Sequence, residues 1–373
     1  MLRTAQQWLD KIRSLPLVRK VKIMNVCGGH ERAITMAGLR TLLPPLIELI
    51  PGPGCPVCIC PEEDIYTAIQ LALNEKIILV TFGDMLRVPI NVSKREIRSL
   101  EQAKAFGGDI RPIASPLEAL HIAQQHSDQT VVFFAAGFET TIAPVAALMA
   151  QGVPDNLLIL LAGRLTWPAV AFLLDTGQAS FHALIAPGHV ATVMGANQWN
   201  FIVEKYQLPA AIAGFTPDTL LAAIYSVLRQ LAENNYFLDN CYSQVVKAEG
   251  NITARHYLTE MMHIQDANWR GVGTIANSGF KLKNTQQAAD IQLNYYVKEI
   301  RKYGGAMPVG CDCAKVVLGN IYPNECRLYG KVCTPRTPIG PCMVSEEGAC
   351  RIWWTSGAHK LIEVTGKNIS IVY

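Results

Sequence analysis

From about residue 20 to residue 235 the chain repeats one theme: a short apolar run, a Gly- or Pro-rich break, then a helix-like stretch. The runs are Val21–Val26, Leu46–Ile50, Ile77–Phe82, Val131–Ala136, Leu157–Ala162, Ala183–Ala186 and Ala210–Ala213. Most are β-branched or leucine-rich and lack polar alternation, as parallel strands buried on both faces do. Helical stretches lie between them, among them Glu62–Asn74, Pro116–Gln125 and Pro217–Asn234. The first opens with Pro61, Glu62, Glu63 and Asp64, a proline and acids where a helix N-terminus favours them. Such alternation implies an open α/β architecture with right-handed crossovers, in one sheet or two. The polar stretch Lys94–Arg111 sits between two halves of similar build. Residues 250–303 read as helical and mixed, and Leu361–Tyr373 as two short strands. The expected fold class is therefore α/β: two similar open parallel-sheet domains, at 1–112 and 113–240, plus a small Cys-rich domain at 241–373.

Half of the 373 residues are apolar and 17% are charged, enough to build a packed core. The balance of 33 basic and 30 acidic residues gives no basis for nucleic-acid binding. The opening Met1–Arg19 mixes Trp8, Leu9 and Ile12 with charges, as an amphipathic helix does and a signal peptide does not. No apolar run approaches the ~20 residues that cross a bilayer, so a soluble, cytoplasmic protein is expected, with no membrane partner. Eleven cysteines then point to metal binding or redox chemistry rather than a disulfide framework. Four lie between Cys27 and Cys60 and six between Cys311 and Cys350, with Cys241 apart. Two clusters suggest two sites.

In open parallel sheets, ligands gather outside the carboxyl ends of the strands. Five strand-to-helix loops here carry unusual residues: Cys27-Gly-Gly-His30-Glu31, Pro51-Gly-Pro-Gly-Cys55-Pro-Val-Cys58, Gly83-Asp84-Met-Leu-Arg87-Val-Pro89, Gly137-Phe-Glu139-Thr-Thr141 and Pro187-Gly-His189-Val190. A thiol three residues from an imidazole can bind a soft metal; its plainer alternative is a buried thiol beside a helix-capping histidine. Cys55 and Cys58 have the spacing of a redox dithiol, whose attacking sulfur often has a pKa of ~7 or lower, although zinc and iron–sulfur sites use the same spacing. Glu139, Asp84, Arg87 and His189 each have an ordinary explanation in capping or turn formation. Together they can also hold a small anionic ligand such as cyanide, or carry protons. The tail cysteines Cys311, Cys313, Cys326, Cys333, Cys342 and Cys350 fall among glycine and proline turns in a segment too poor in apolar residues for its own core. Four thiolates from such loops suit a cubane iron–sulfur cluster, with structural zinc as the alternative.

These phrases, with Glu249-Gly-Asn251, Trp269-Arg-Gly271 and Cys333-Thr-Pro … Gly340-Pro-Cys-Met-Val-Ser-Glu-Glu-Gly-Ala-Cys350, follow one another in the order found in the HypD family of hydrogenase maturation factors, which the chain resembles over nearly its whole length. The resemblance implies two α/β domains and an iron–sulfur domain carrying a [4Fe–4S] cluster. It implies a scaffold for the Fe(CN)2CO centre, working with a HypC-type chaperone and a HypE-type cyanide donor. Cys27 would hold Fe(II) bearing cyanide and carbon monoxide, near His30, and Cys55 with Cys58 would relay electrons from the cluster. The family's spacing of fourteen, six and sixteen intervening residues selects Cys311, Cys326, Cys333 and Cys350 as cluster ligands, with Cys313 and Cys342 as spares. Cys60, and Ile90-Asn91 after Pro89, depart from the family pattern. A free-standing iron–sulfur thiol–disulfide oxidoreductase, needing only the dithiol and the cluster, is the alternative reading; a zinc-stapled interaction protein is a third.

Overall fold

Hydrogen bonding sorts the apolar runs into two separate parallel sheets. The computed structural model of the protein describes residues 4–93, 95–177, 179–291 and 307–357. The first sheet contains β1 (Val21–Asn25), β2 (Ile47–Pro51), β7 (Ala183–Pro187), β8 (Ala210–Ala213) and β9 (Leu238–Asn240), in the order β2-β1-β7-β8-β9. The second contains β3 (Ile77–Phe82), β4 (Asp109–Ile113), β5 (Thr130–Gly137) and β6 (Leu157–Gly163), in the order β4-β3-β5-β6. All pairings within both sheets are parallel. Inner strands such as β7 and β8 are buried at every position, which explains their unbroken apolar character.

The sheets cut across the expected boundary at residue 112, which lies inside β4. β1 and β2 pair not with the strands that follow them but with β7–β9, so the second sheet is inserted into the first unit. Lys94–Arg111 is no connector between halves: it contains the helix Leu100–Ala105 and most of β4. β4 is an edge strand with mixed exposure and carries Pro112, tolerated where an N–H is not needed by the ladder. The helix Thr166–Asp175 lies between the units, giving Ala169 to the core of the second and Val170 and Leu173 to that of the first.

Beyond β9 the chain returns to the second unit. The helix Ile252–Met261 and the antiparallel hairpin of β10 (Met262–Trp269) and β11 (Gly273–Leu282) bury Leu258, Met261, Phe280 and Leu282 with Val131 and Phe133 of β5. Strands thus occupy part of the stretch read as helical and mixed. Residues 307–357 are built of short turns and helices, including Cys313–Val317 and Ala349–Thr355. Their buried Val316, Val317, Met343 and Trp353 share a core with Leu79, Val132 and Phe134 of the second sheet. The Cys-rich segment therefore leans on the α/β units. The strands expected over Leu361–Tyr373 lie outside the described residues. Among the described residues no helix is long and apolar enough to cross a membrane.

Candidate functional site

Cys27 lies two residues beyond β1, its backbone still extended as it caps the helix Gly28–Met36. The half-buried thiol makes no capping hydrogen bond. Burial pushes it up to about 12, opposed by the backbone amide of His30 and supported by the charge of Glu347. The loop after β2 closes directly on it. Gly28 N donates to Gly54 O at 3.1 Å, and a Cβ at Gly54 would stand 2.4 Å from Cys27 Cα and 2.5 Å from Cys27 N. Only glycine admits that approach. Gly54→Ala is expected to cost about 3 kcal/mol through overpacking against rigid backbone. A lowered denaturation midpoint checks this; a midpoint equal to wild type would show that the two loops separate freely.

One residue further, Cys55 and Cys58 are joined as a disulfide with Cα atoms 5.4 Å apart, at the short helix Pro56–Ile59. Both sulfurs are buried, at 4% and 1% exposure, which closes them to a bulky outside disulfide. Pro56 and Val57 hold the turn, and Cys58 N donates to Cys55 Sγ at 3.2 Å. Cys60 is a free thiol, buried and pushed up by that burial.

Three rings pack in a row near Cys27, the His189–Phe215 pair stacked and the His30–Phe215 pair tilted. His30 and Phe215 have centroids 4.8 Å apart, and Phe215 and His189 3.7 Å apart. His30 is fully buried, which drives it down to about 4, so its ring is neutral near pH 7. Its Nε2 lies 3.0 Å from Ala213 O, an atom that only accepts, so the proton belongs on Nε2 and the Nδ1 lone pair has no partner among the described residues. His189 is exposed, and partial desolvation lowers it.

The carboxyl end of β3 faces the same cleft through the Cys-rich segment. Asp84 Oδ2 accepts from Ser345 Oγ at 2.8 Å, and Ser345 Oγ accepts from Glu347 N at 3.1 Å. Glu347 packs on the helix start, where a Cβ at Gly28 would meet its Cβ at 2.5 Å. Burial and the charge of Asp84 raise its carboxyl. Glu347 was not among the expected residues, although it lies in the Ser345-Glu-Glu-Gly-Ala-Cys350 phrase.

Two expected residues turn elsewhere. Arg87 donates to Pro335 O at 2.9 Å and lies 3.8 Å from Glu101, tying its loop to the Cys-rich segment. Glu139 is fully buried and accepts from Thr166 N at 2.7 Å and Thr166 Oγ1 at 2.5 Å, pinning two helix starts together. Burial raises it to about 7. An acid raised from its ordinary 4.5 binds a proton in the folded protein that the unfolded chain has lost. Its contribution is thus present below pH ~4.5 and lost as pH rises through 7, by about 3 kcal/mol at 1.36 kcal/mol per pKa unit. Glu139→Gln is expected to flatten that part of the stability–pH curve; an unaltered slope between these pH values would show that Glu139 does not supply it.

The tail cysteines converge. The sulfurs of Cys313, Cys342 and Cys350 lie within 4.8 Å of one another, all buried, and Cys311 Sγ is 3.3 Å from Cys313 Sγ. Hydrogen bonds from Cys313 and Cys350 hold Cys342 well below its ordinary value, while Cys313 is pushed up by those to Cys311 and Cys342. Gly340 makes the crowding possible, since a Cβ there would sit 2.5 Å from both Cys311 and Cys313 sulfurs. Of the four expected ligands, Cys350 belongs to this group and Cys311 adjoins it; both spares, Cys313 and Cys342, are inside. Cys333 accepts from Ile339 N at 3.4 Å and is within electrostatic reach of Cys311 and Cys326. Four close sulfurs, three of them buried, fit a metal or an iron–sulfur cluster by number and softness. The helix Pro56–Ile59 packs on both the Pro341–Met343 turn and the helix Cys313–Val317, setting the disulfide beside the thiol nest.

A thiol at the carboxyl end of one parallel sheet, a buried Cys-x-x-Cys and a nest of thiols define an α/β protein with a cysteine group able to hold a metal. The profile of the HypD family, described as the hydrogenase formation hypA family, matches residues 3–357. The chain is 36% identical over 345 residues to the hydrogenase maturation factor HypD of Escherichia coli, covering 90% of this chain and 89% of that one. It is 37% identical over 350 residues to HypD of Rhodobacter capsulatus, covering 92% of each, and 35% identical over 376 residues to HypD2 of Bradyrhizobium diazoefficiens, covering 95% and 97%. The chain belongs to the HypD family of hydrogenase maturation factors.

Proposed function

We propose that this protein is the scaffold on which, with a HypC-type chaperone, the Fe(CN)2CO unit of a nickel–iron hydrogenase is assembled in the cytoplasm. The observation that supports this reading is the contact of Cys27 with Gly54, one residue from a buried dithiol whose helix packs on the thiol nest. Fe(II) bearing cyanide and carbon monoxide is the cargo. Its low-spin chemistry suits sulfur ligation by the Cys27 thiolate and a thiolate of the chaperone. Neutral His30, three residues along the chain from that thiol, keeps its Nδ1 unpartnered among the described residues, and Phe215 and His189 pack beside it. Glu347 and Asp84 add acidic groups on the opposite side. A HypE-type protein delivers cyanide.

A [4Fe–4S] cluster held by four of the six tail cysteines would supply electrons one at a time. The Cys55–Cys58 disulfide takes up two electrons and two protons to open and returns them on closing. Burial of both sulfurs favours this internal relay over a free-standing oxidoreductase. Oxygen-free preparations should therefore contain about four iron and four sulfide per chain. With the chaperone added, infrared bands of iron-bound cyanide and carbon monoxide should appear. Zinc without sulfide would reject the cluster, and brisk reduction of a small disulfide by the isolated chain would favour the oxidoreductase.

A further inference from the structure

One buried charge stands between the dithiol segment and the thiol nest, and none of the roles above uses it. Arg270 follows β10 and is 1% exposed. Its backbone N donates to Ile59 O at 3.0 Å, on the residue between Cys58 and Cys60. Its Nη2 donates to Pro89 O at 2.7 Å and pairs with Glu62, itself 2% exposed. The next residue, Gly271, turns at φ +75°, and a Cβ there would meet Ala314 Cβ at 2.9 Å, beside Cys313. Arg270 is thus clamped to the dithiol helix on one side and followed immediately by contact with the helix of the nest. Its Nε and Nη1 are buried with no hydrogen-bond partner among the described residues.

A cation so buried is destabilising unless something negative offsets it, and Glu62 engages only Nη2. Burial and Asp64 push the Cys60 thiol up, against the charges of Arg164 and Arg270. The charge of Arg270 thus acts on the dithiol side, and Gly271 holds the adjoining backbone against the helix of the nest. Net charge and N–H groups near the sulfurs are among the features by which a protein sets the potential of an iron–sulfur cluster.

We propose that Arg270 is a positioning residue of the electron path: a fixed cation between dithiol and nest that stabilises the added negative charge when a cluster held by the tail cysteines is reduced. This rests on the cluster of the proposed function. One electron enters the cluster from an external one-electron donor, which is oxidised, and no bond is made or broken at the arginine.

The test is a spectroscopic redox titration of the cluster in the full-length, oxygen-free protein, with iron and sulfide counted in each sample. In Arg270→Gln/Glu62→Gln, which removes both charges and keeps a hydrogen-bonding pair, the reduced-to-oxidised ratio at fixed potential is expected to fall about tenfold. That is a downward shift of about 59 mV for one electron. Arg270→Lys, which retains the charge, should stay near wild type. An unmoved midpoint in the neutral pair, or an equal fall in Arg270→Lys, overturns the proposal. So does a folded neutral pair that takes up no cluster while Arg270→Lys does, since the charge would then serve assembly. Wild-type protein without sulfide would instead sink the proposed function, and this inference with it.

Discussion

Cys27→Ala is expected to reduce the infrared bands of iron-bound cyanide and carbon monoxide to background in the complex with a HypC-type chaperone. Alanine offers no donor atom, and no other described cysteine of the front cluster is placed to substitute: Cys55 and Cys58 are bonded to each other and Cys60 is buried. The fold should tolerate the change, because the thiol is half-buried and caps nothing. Iron and sulfide held by the tail cysteines should be unchanged, which separates loss of the cleft from loss of the protein. Bands of normal strength would remove Cys27 from the iron site. Maturation of hydrogenase in cells should fail in parallel, since cargo that cannot be held cannot be passed on.

Glu62→Ala should be the most destabilising single change outside the cysteines, by about 3–5 kcal/mol. Glu62 begins the helix Glu62–Asn74 with its carboxylate 97% shielded from solvent. It is the counter-charge of fully buried Arg270 and also accepts from Asn91 N at 2.8 Å. Truncation leaves a guanidinium with nothing negative against it and an amide without an acceptor. The loss should appear as a lower urea midpoint, and Glu62→Gln, which keeps an acceptor, should recover a large part of it. A loss below about 1 kcal/mol would mean that water or another group reaches Arg270, contrary to the burial on which its role depends.

The residues themselves determined most of the strand inventory, because a strand buried on both faces must be apolar throughout and so declares itself locally. They also determined the dithiol turn and the family, through phrases such as Pro51-Gly-Pro-Gly-Cys-Pro-Val-Cys58 that recur in order. Strand order was decided only in three dimensions. Parallel partners are joined by distant crossovers, and nothing in β1 or β2 announces that they pair with β7–β9 across an inserted sheet. Edge strands β4 and β9 escaped notice because one exposed side relaxes the demand for apolar residues. Spacing alone likewise cannot say which of six thiols meet, since that depends on how proline and glycine turns fold back; packing brought Cys313 and Cys342 together with Cys350. Glu347 and Arg270 gained their places for the same reason. A charge acquires a chemical setting only from what burial puts against it, and here those neighbours come from more than 200 positions away.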